Sequence, residues 1–299
     1  TVPAEHSFVT QPTLSMPIQK LEEALNIQIF NRSKKPIVLT EIGKKIVAHA
    51  LVIANESNRI SDIVDQQKGF IGGEFRVGII PTVMPTLLPM FLQNFTKKYP
   101  KVTLIIEELT TDEIIRKLSD GHIDAGLAAT PLENDSIIEN PLYYEPFVGL
   151  IPKNHRLYNQ QKITSEELEI QDILLLEDGH CFKDSVINLC STHKIDNTKG
   201  FQLASGSFDT LIKLSKEGLG MTLLPYLHTL DLNEEDKANL RDFTNPPPAR
   251  EVSLIYHKSQ LKMQLIEALK KTIDGIIRGA ISVVDTAQQF HIGFSLYTP

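Results

Sequence analysis

Both cysteines of this 299-residue chain lie in one segment, Leu176–Cys190, which reads LEDGHCFKDSVINLC. Cys181 follows His180 directly and precedes Lys183 and Asp184, and Cys190 comes nine positions later. A thiol reacts as its thiolate, which cationic neighbours or a helix N-terminus favour. His180 and Lys183 are candidate cations. Asp184 or Ser185 suits the N-cap of a helix over Val186 to about Cys190, which sets Cys181 just before the positive helix end. The plain alternative is a pair of quiet buried cysteines. A zinc site from His180, Cys181, Cys190 and His193 lacks the spacing of known ligand pairs. If most of the segment is helical, nine residues at 1.5 Å rise hold the sulfurs roughly 13 Å apart. A disulfide needs Cα atoms within about 7 Å. Such a bridge would require unwinding, and oxidation that selects a different backbone is a switch.

The rest of the chain must position that segment. Its length suits about two domains with a sizeable core. Hydrophobic content of 41% and charged content of 22% are ordinary for a globular protein. No apolar run approaches the ~20 residues needed to span a bilayer. The start, TVPAEHSFVTQ, has neither the basic flank nor the apolar stretch of a signal peptide, and its lack of Met suggests a trimmed start. Two cysteines do not make a secreted disulfide scaffold, so we expect a cytoplasmic protein. We find no phosphate loop, nucleophile elbow or flavin fingerprint, and expect no cofactor and no metal. Net charge is −7, yet residues 1–45 hold six Lys and Arg against four Asp and Glu. A basic head on an acidic body suggests a small phosphate-contacting module joined to something with another job.

In that head, Thr10 is a good N-cap, Pro12 falls in the first turn, and Leu14, Ile18, Leu21 and Leu25 recur at helical spacing. Two short β-like pieces, IQIF and IVL, flank the polar turn NRSKKP. A helix followed by a small basic hairpin is the layout of a winged helix-turn-helix. The stretch TQPTLSMPIQKLEEALNIQIFNRSKKPIVLTEIGKKI closely resembles the DNA-binding segment of LysR-type transcriptional regulators. The match rests on Gln11 and Pro12, Ser15, Leu21 and Glu22, Ile29, Phe30 and Arg32, and Thr40 and Gly43. The resemblance implies DNA contacts from Thr10, Gln11, Pro12, Thr13, Ser15, Gln19, Lys20, Arg32, Lys34 and Lys35. The family's first helix is mostly absent here, and Pro3 lies where a helix is expected. Pro17 falls inside the recognition helix, where it costs roughly 3 kcal/mol or more, so that helix is either kinked or binds DNA poorly.

From Gly43 the apolar positions Ile46, Ala50, Ile53, Ile60 and Val64, with Ser57 between, repeat at alternating intervals of four and three. That is a heptad seam. The alternative is a helix lying on its own core; the resemblance favours a linker helix that pairs two copies. The glycines of GFIGGE mark a hinge. Beyond it strands and helices alternate, which predicts a mostly parallel sheet covered by helices. We expect an α/β regulatory domain of two Rossmann-like subdomains joined by two crossovers. The resemblance implies the same periplasmic-binding-protein-like architecture, with a ligand cleft between the lobes. The expected division is residues 1–42 for an N-terminally incomplete winged helix-turn-helix, 43–68 for the linker, 69–74 for the hinge and 75–299 for the regulatory domain. Within the last, subdomain I takes about 75–146 and 250–280, and subdomain II about 147–249. The tail after about residue 281 has no assignment.

A second resemblance lies inside the first. LLLEDGHCFKD, with the second cysteine nine positions on, is similar nearly residue for residue to the sensing motif of the peroxide-sensing branch of that family. It implies that Cys181 is the peroxidatic thiol, that Cys190 resolves it, and that His180 and Asp184 assist. Lys183 replaces an Arg common there, which keeps charge and loses the guanidinium fork. GIIPTVMPTLLP and EELTTDEIIRKL place Thr82 and Thr111 on peroxide-binding positions. Read without the resemblance, Thr82, Thr110 and Thr111 are ordinary helix caps, and His180 is a hydrogen-bonded loop histidine. The implied partners are double-stranded promoter DNA, hydrogen peroxide, further copies in a homodimer or homotetramer, and RNA polymerase, with no membrane. Two competing readings are a LysR-type regulator answering a small anion in the cleft, and a thiol peroxidase. The DNA-binding segment argues against an enzyme, and the cysteine motif against incidental cysteines.

Overall fold

The computed structural model describes residues 11–33, 36–47, 49–50, 53, 57, 60, 64, 71–176, 181–190, 207–280 and 291–292. The chain divides into two compact units, Thr1–Ser61 and Asp62–Pro299.

In the first unit, α1 (Gln11–Leu25) is followed by an antiparallel ribbon of β1 (Phe30–Asn31) and β2 (Val38–Leu39). Pro17 lies inside α1 as a helical residue. The ribbon is tied to α1 by the buried Glu22 carboxylate. Its Oε1 accepts the N–H groups of Ile29 (2.7 Å) and Phe30 (3.1 Å), and its Oε2 accepts from Arg32 Nη2 at 2.8 Å. Beyond the ribbon, Thr40 Oγ1 donates to the Gln28 carbonyl at 2.6 Å and accepts from Gly43 N–H at 2.9 Å. A Cβ on Gly43 would collide with the Ile29 carbonyl, which accounts for the glycine of the Thr-x-x-Gly motif. Ile46, Ala50, Ile53, Ser57, Ile60 and Val64 are all helical. Ile53, Ile60 and Val64 are exposed at 71%, 65% and 44%, so in a single copy the seam is uncovered.

The second unit begins with β3 (Gly73–Ile79), α2 (Met84–Lys98), β4 (Val102–Glu108), α3 (Thr111–Ser119) and β5 (Ala125–Thr130). β3 pairs in parallel with both β4 and β5. All six residues of β5 are buried, as a strand covered on both faces requires. The chain then runs through β6 (Ile137–Leu150), β7 (Lys162–Ile163), α4 (Cys181–Leu189), α5 (Phe208–Lys216), β8 (Thr222–Pro225), α6 (Tyr226–Leu230), α7 (Glu234–Lys237) and β9 (Leu240–Phe243). It returns on β10 (Pro248–His257) and α8 (Met263–Ala280), and β11 (His291–Ile292) adds a short parallel pairing beside β10.

Two apolar cores result. One gathers Phe75, Leu87, Phe91, Ile114 and Leu127 with Leu254 and Leu269; the other gathers Phe147, Ile151, Ile163, Phe182, Val186 and Leu223. β6 and β10 join them. The first part of β6 pairs antiparallel with β10, and its last residues, Phe147–Leu150, pair with β8 and β9.

One expectation needs correction. The sheet is mixed rather than mostly parallel, because the two crossover strands run in opposite directions and impose antiparallel pairing on their neighbours. Residues 137–146 form the first half of β6, although their charged and proline-bearing sequence gives no alternating strand signal. Ile173 bridges to Met221, and Leu174 and Leu176 are buried in the second core.

Candidate functional site

The α4 helix begins at Cys181, three or four residues before the expected N-cap at Asp184 or Ser185. The reason is packing. Phe182, Val186 and Leu189 fall at i, i+4 and i+7 and are all buried, so one apolar stripe carries the helix back to Cys181. Cys181 therefore sits at the positive helix end, as its own first residue. Asp184 is exposed in the first turn, and Ser185 is buried. His180 and His193 lie outside the described residues, as do Thr10, Lys34 and Lys35. Cys190 follows the helix C-terminus. Its thiol is buried, donates to the Val186 carbonyl at 3.2 Å, and is pushed up to about 11 by burial. Nine residue steps at 1.5 Å each hold the two cysteine backbones roughly 13 Å apart. A Cys181–Cys190 bridge thus requires this helix to unwind.

Phe182 fixes the helix start. Its ring meets Phe147 edge-on at 5.2 Å and Phe208 edge-on at 5.0 Å, and Phe208 in turn packs on His228 at 4.5 Å. The Arg250 guanidinium lies 5.5 Å from the Phe182 ring. Arg250 is almost wholly buried and donates from Nη1 to Thr82 Oγ1 and from Nη2 to the Thr82 carbonyl, both at 2.9 Å. Its counter-charge is Glu145, whose Oε2 lies 2.9 Å from Nε and 2.7 Å from Nη2. Around them, burial and then the Glu145 charge raise the Tyr143 hydroxyl well above its usual range, and burial with the Arg250 charge lowers His228 to about 3. Both are neutral near pH 7.

Thr82 and Thr111 stand at equivalent places. Ile79 is opposite Glu108 in the parallel pair, and each threonine lies three residues further on, at the carboxyl end of its strand. Open α/β sheets bind ligands at that edge. Thr82 does not cap α2, whose N-cap is Val83 without a side-chain bond; its hydroxyl serves Arg250 instead. Thr110, not Thr111, is the cap of α3, in a reciprocal box with Glu113, and Thr111 is the buried first helical residue. The ordinary reading as a cap therefore holds for Thr110 only. Arg250 and Glu145 were missed in the sequence. The available signal was a charge of each sign embedded in apolar strand sequence, PAREVSLIY and LYYEPFVGL.

In the first unit Gln11, Pro12, Thr13 and Ser15 occupy the first turns of α1, and Gln19 and Lys20 are exposed on it. Arg32 gives Nη2 to Glu22 while 47% of its side chain stays exposed. No helix among the described residues is long and apolar enough to cross a membrane. No group of three His, Cys, Asp or Glu among them could hold a metal.

A helix with a two-stranded wing and a two-lobed α/β domain define a regulator of the helix-turn-helix, effector-domain type. The family of bacterial regulatory helix-turn-helix proteins, lysR family, matches residues 3–44, and the LysR substrate binding domain matches residues 68–274. The chain belongs to the LysR family. Within that family it belongs with the hydrogen peroxide-inducible genes activators, known as OxyR. It is 30% identical over 276 residues to the hydrogen peroxide-inducible genes activator of Pectobacterium carotovorum, covering 92% of this chain and 91% of that one. A full-length OxyR mutant from Pseudomonas aeruginosa superposes with a TM-score of 0.71 at 31% identity, covering 91% and 90% of the two chains. A hydrogen-peroxide-bound OxyR mutant from Corynebacterium glutamicum gives a TM-score of 0.65 at 29% identity, covering 93% and 88%.

Proposed function

We propose that this chain is a cytoplasmic transcriptional regulator that senses hydrogen peroxide through Cys181 and Cys190 and reports it on promoter DNA. The observation that carries the reading is the placement of Cys181 at the N-terminus of α4. The next residue packs against a buried guanidinium, which in turn holds Thr82. A fixed positive charge and a helix end favour the thiolate. The thiolate attacks one peroxide oxygen; the O–O bond breaks, Cys181 becomes a sulfenic acid, and the departing hydroxide takes a proton to form water. Thr82 and Thr111 orient the peroxide, with His180 and Asp184 assisting. Cys190 then attacks the sulfenic sulfur, an S–S bond forms and a second water leaves. In sum, two thiols and one peroxide give one disulfide and two waters.

The reduced helix and the bridged segment cannot coexist, so oxidation exchanges one backbone for another. Two copies joined along Ile46–Val64 present two reading helices to one duplex. A second contact between regulatory domains makes a tetramer, and RNA polymerase is the recipient of the signal. The test is selection of genomic DNA fragments by the full-length protein, reduced and peroxide-treated. The reading expects a bound set or footprint that changes with peroxide and is fixed in Cys181→Ser. Binding indifferent to peroxide would contradict it.

A further inference from the structure

Among the described residues, Arg250 is the largest fully buried side chain. A guanidinium stays charged at any pH the fold tolerates, and a buried charge persists only when paired and hydrogen-bonded. Its pairing here is unequal. Glu145 spends Oε1 on the Leu227 N–H at 2.9 Å, so one oxygen, Oε2, receives both Nε and Nη2. A two-pronged carboxylate would have engaged the guanidinium along a whole edge. Glu145 thus takes the Nε–Nη2 edge, and that orientation turns Nη1 toward the Thr82 hydroxyl. Glu145 is 1% exposed, and Glu145 and Arg250 face each other in the β6–β10 ladder, where the chain passes between lobes.

We propose that Glu145 is a positioning residue for oxidation of Cys181: anchored by the Leu227 N–H, it sets the Arg250 guanidinium so that Nη1 holds the Thr82 hydroxyl while the same guanidinium lies over the Phe182 ring. This rests on Cys181 being the reactive thiol. Buried ion pairs contribute little net stability compared with apolar replacements, so stability alone does not explain the arrangement. Among the described residues, Tyr143 and His228 are titratable groups shifted by this pair, and both are neutral. Glu145 therefore carries the counter-charge to Arg250 among the described residues. Glu145 does not touch the reacting atoms. It acts through Arg250 on the hydroxyl that orients peroxide, so its removal affects peroxide more than a reagent that needs no orienting.

The test uses the full chain with Cys190→Ser, so that Cys181 is read alone, and measures its rates with hydrogen peroxide and with iodoacetamide. Glu145→Gln should slow the peroxide reaction at least tenfold and the iodoacetamide reaction less than threefold, and Glu145→Asp should fall between it and the parent. Adding Thr82→Val to Glu145→Gln should bring little further loss, because both act through one contact. Thermal unfolding beside the rates identifies a variant that fails to fold. Should Glu145→Gln do so, Glu145→Asp, with the charge kept and the reach shortened by one methylene, is judged on the same ratio. A parental ratio of the two rates in either folded variant, or losses that multiply with Thr82→Val, overturns the proposal. A parent chain whose Cys181 alkylates readily but consumes no peroxide defeats the sensing reading instead.

Discussion

Arg250 reaches 168 positions back along the chain to donate to the hydroxyl and the carbonyl of Thr82, both at 2.9 Å. Thr82 belongs to the first lobe, and Arg250 to the strand that returns from the second. The bond therefore ties the strand-end turn of one lobe to the crossover, and through the Phe182 ring to the helix that begins at Cys181.

Thr82→Val removes the acceptor of a buried charged donor. Such a bond is worth about 1.5–3 kcal/mol, and the Thr82 carbonyl still holds Nη2, so the lower end is expected. Oxidation of Cys181 should slow about tenfold from lost orientation. Peroxide kinetics beside thermal unfolding check both numbers. An unchanged rate with lowered stability would leave Thr82 a purely structural residue.

Cys190 should be the slow thiol. Burial pushes it up to about 11, so near pH 7 it is protonated and shielded. The folded value lies above the unfolded one of about 8.5, so the burial contributes stability fully below pH 8.5 and loses it as pH rises through the folded value. Iodoacetamide at pH 7 should label Cys181 first and Cys190 only after unfolding or at strongly alkaline pH. Equal labelling of the two would contradict the buried assignment.

Glu22 makes the DNA-binding unit acid-sensitive. Hydrogen bonds from Phe30 and Ile29 N–H and the Arg32 charge hold its carboxyl below the usual range, against a smaller opposing effect of burial. The stability it contributes is present above its unfolded value of about 4.3 and disappears as pH falls through the lower folded value. Amide exchange at Ile29 and Phe30 should accelerate on acidification. In Glu22→Gln that acid step should be absent, with faster exchange already at pH 7.

Ile53→Asp or Ile60→Asp should split the linker pairing, since each places a charge in the centre of an apolar seam. Sedimentation should show the loss of one dimer contact. Removal of residues 1–68 should leave the regulatory domain folded and oxidisable, because neither apolar core draws on a described residue of that stretch. Persistence of the full assembly in Ile53→Asp would place the contact elsewhere.

Local signals made much of this legible in the sequence. The resemblance singled out Thr40 and Gly43, and the Ile29 carbonyl shows why the second is glycine; the strands and helices of the first lobe followed their periodicity. The early start of α4 was not legible, because His-Cys-Phe carries no cap and the deciding force is burial of Phe182 against Phe147 and Phe208. Arg250 and Glu145 were hidden for a related reason. Each looks like a surface charge on its own strand, and only the antiparallel register of the two crossovers, a contact between residues 105 positions apart, makes them a buried pair.

On the proposed function, peroxide joins Cys181 to Cys190 and dismantles the helix between them. The most direct measurement of this is peptide mapping by mass spectrometry of the full chain after one equivalent of hydrogen peroxide, with limited proteolysis of the same sample. The account predicts one intramolecular Cys181–Cys190 bridge, loss of both free thiols, and new cleavage within residues 181–190, all reversed by dithiothreitol. Two free thiols after peroxide, or a bridge that leaves the cleavage pattern of α4 unchanged, would contradict it.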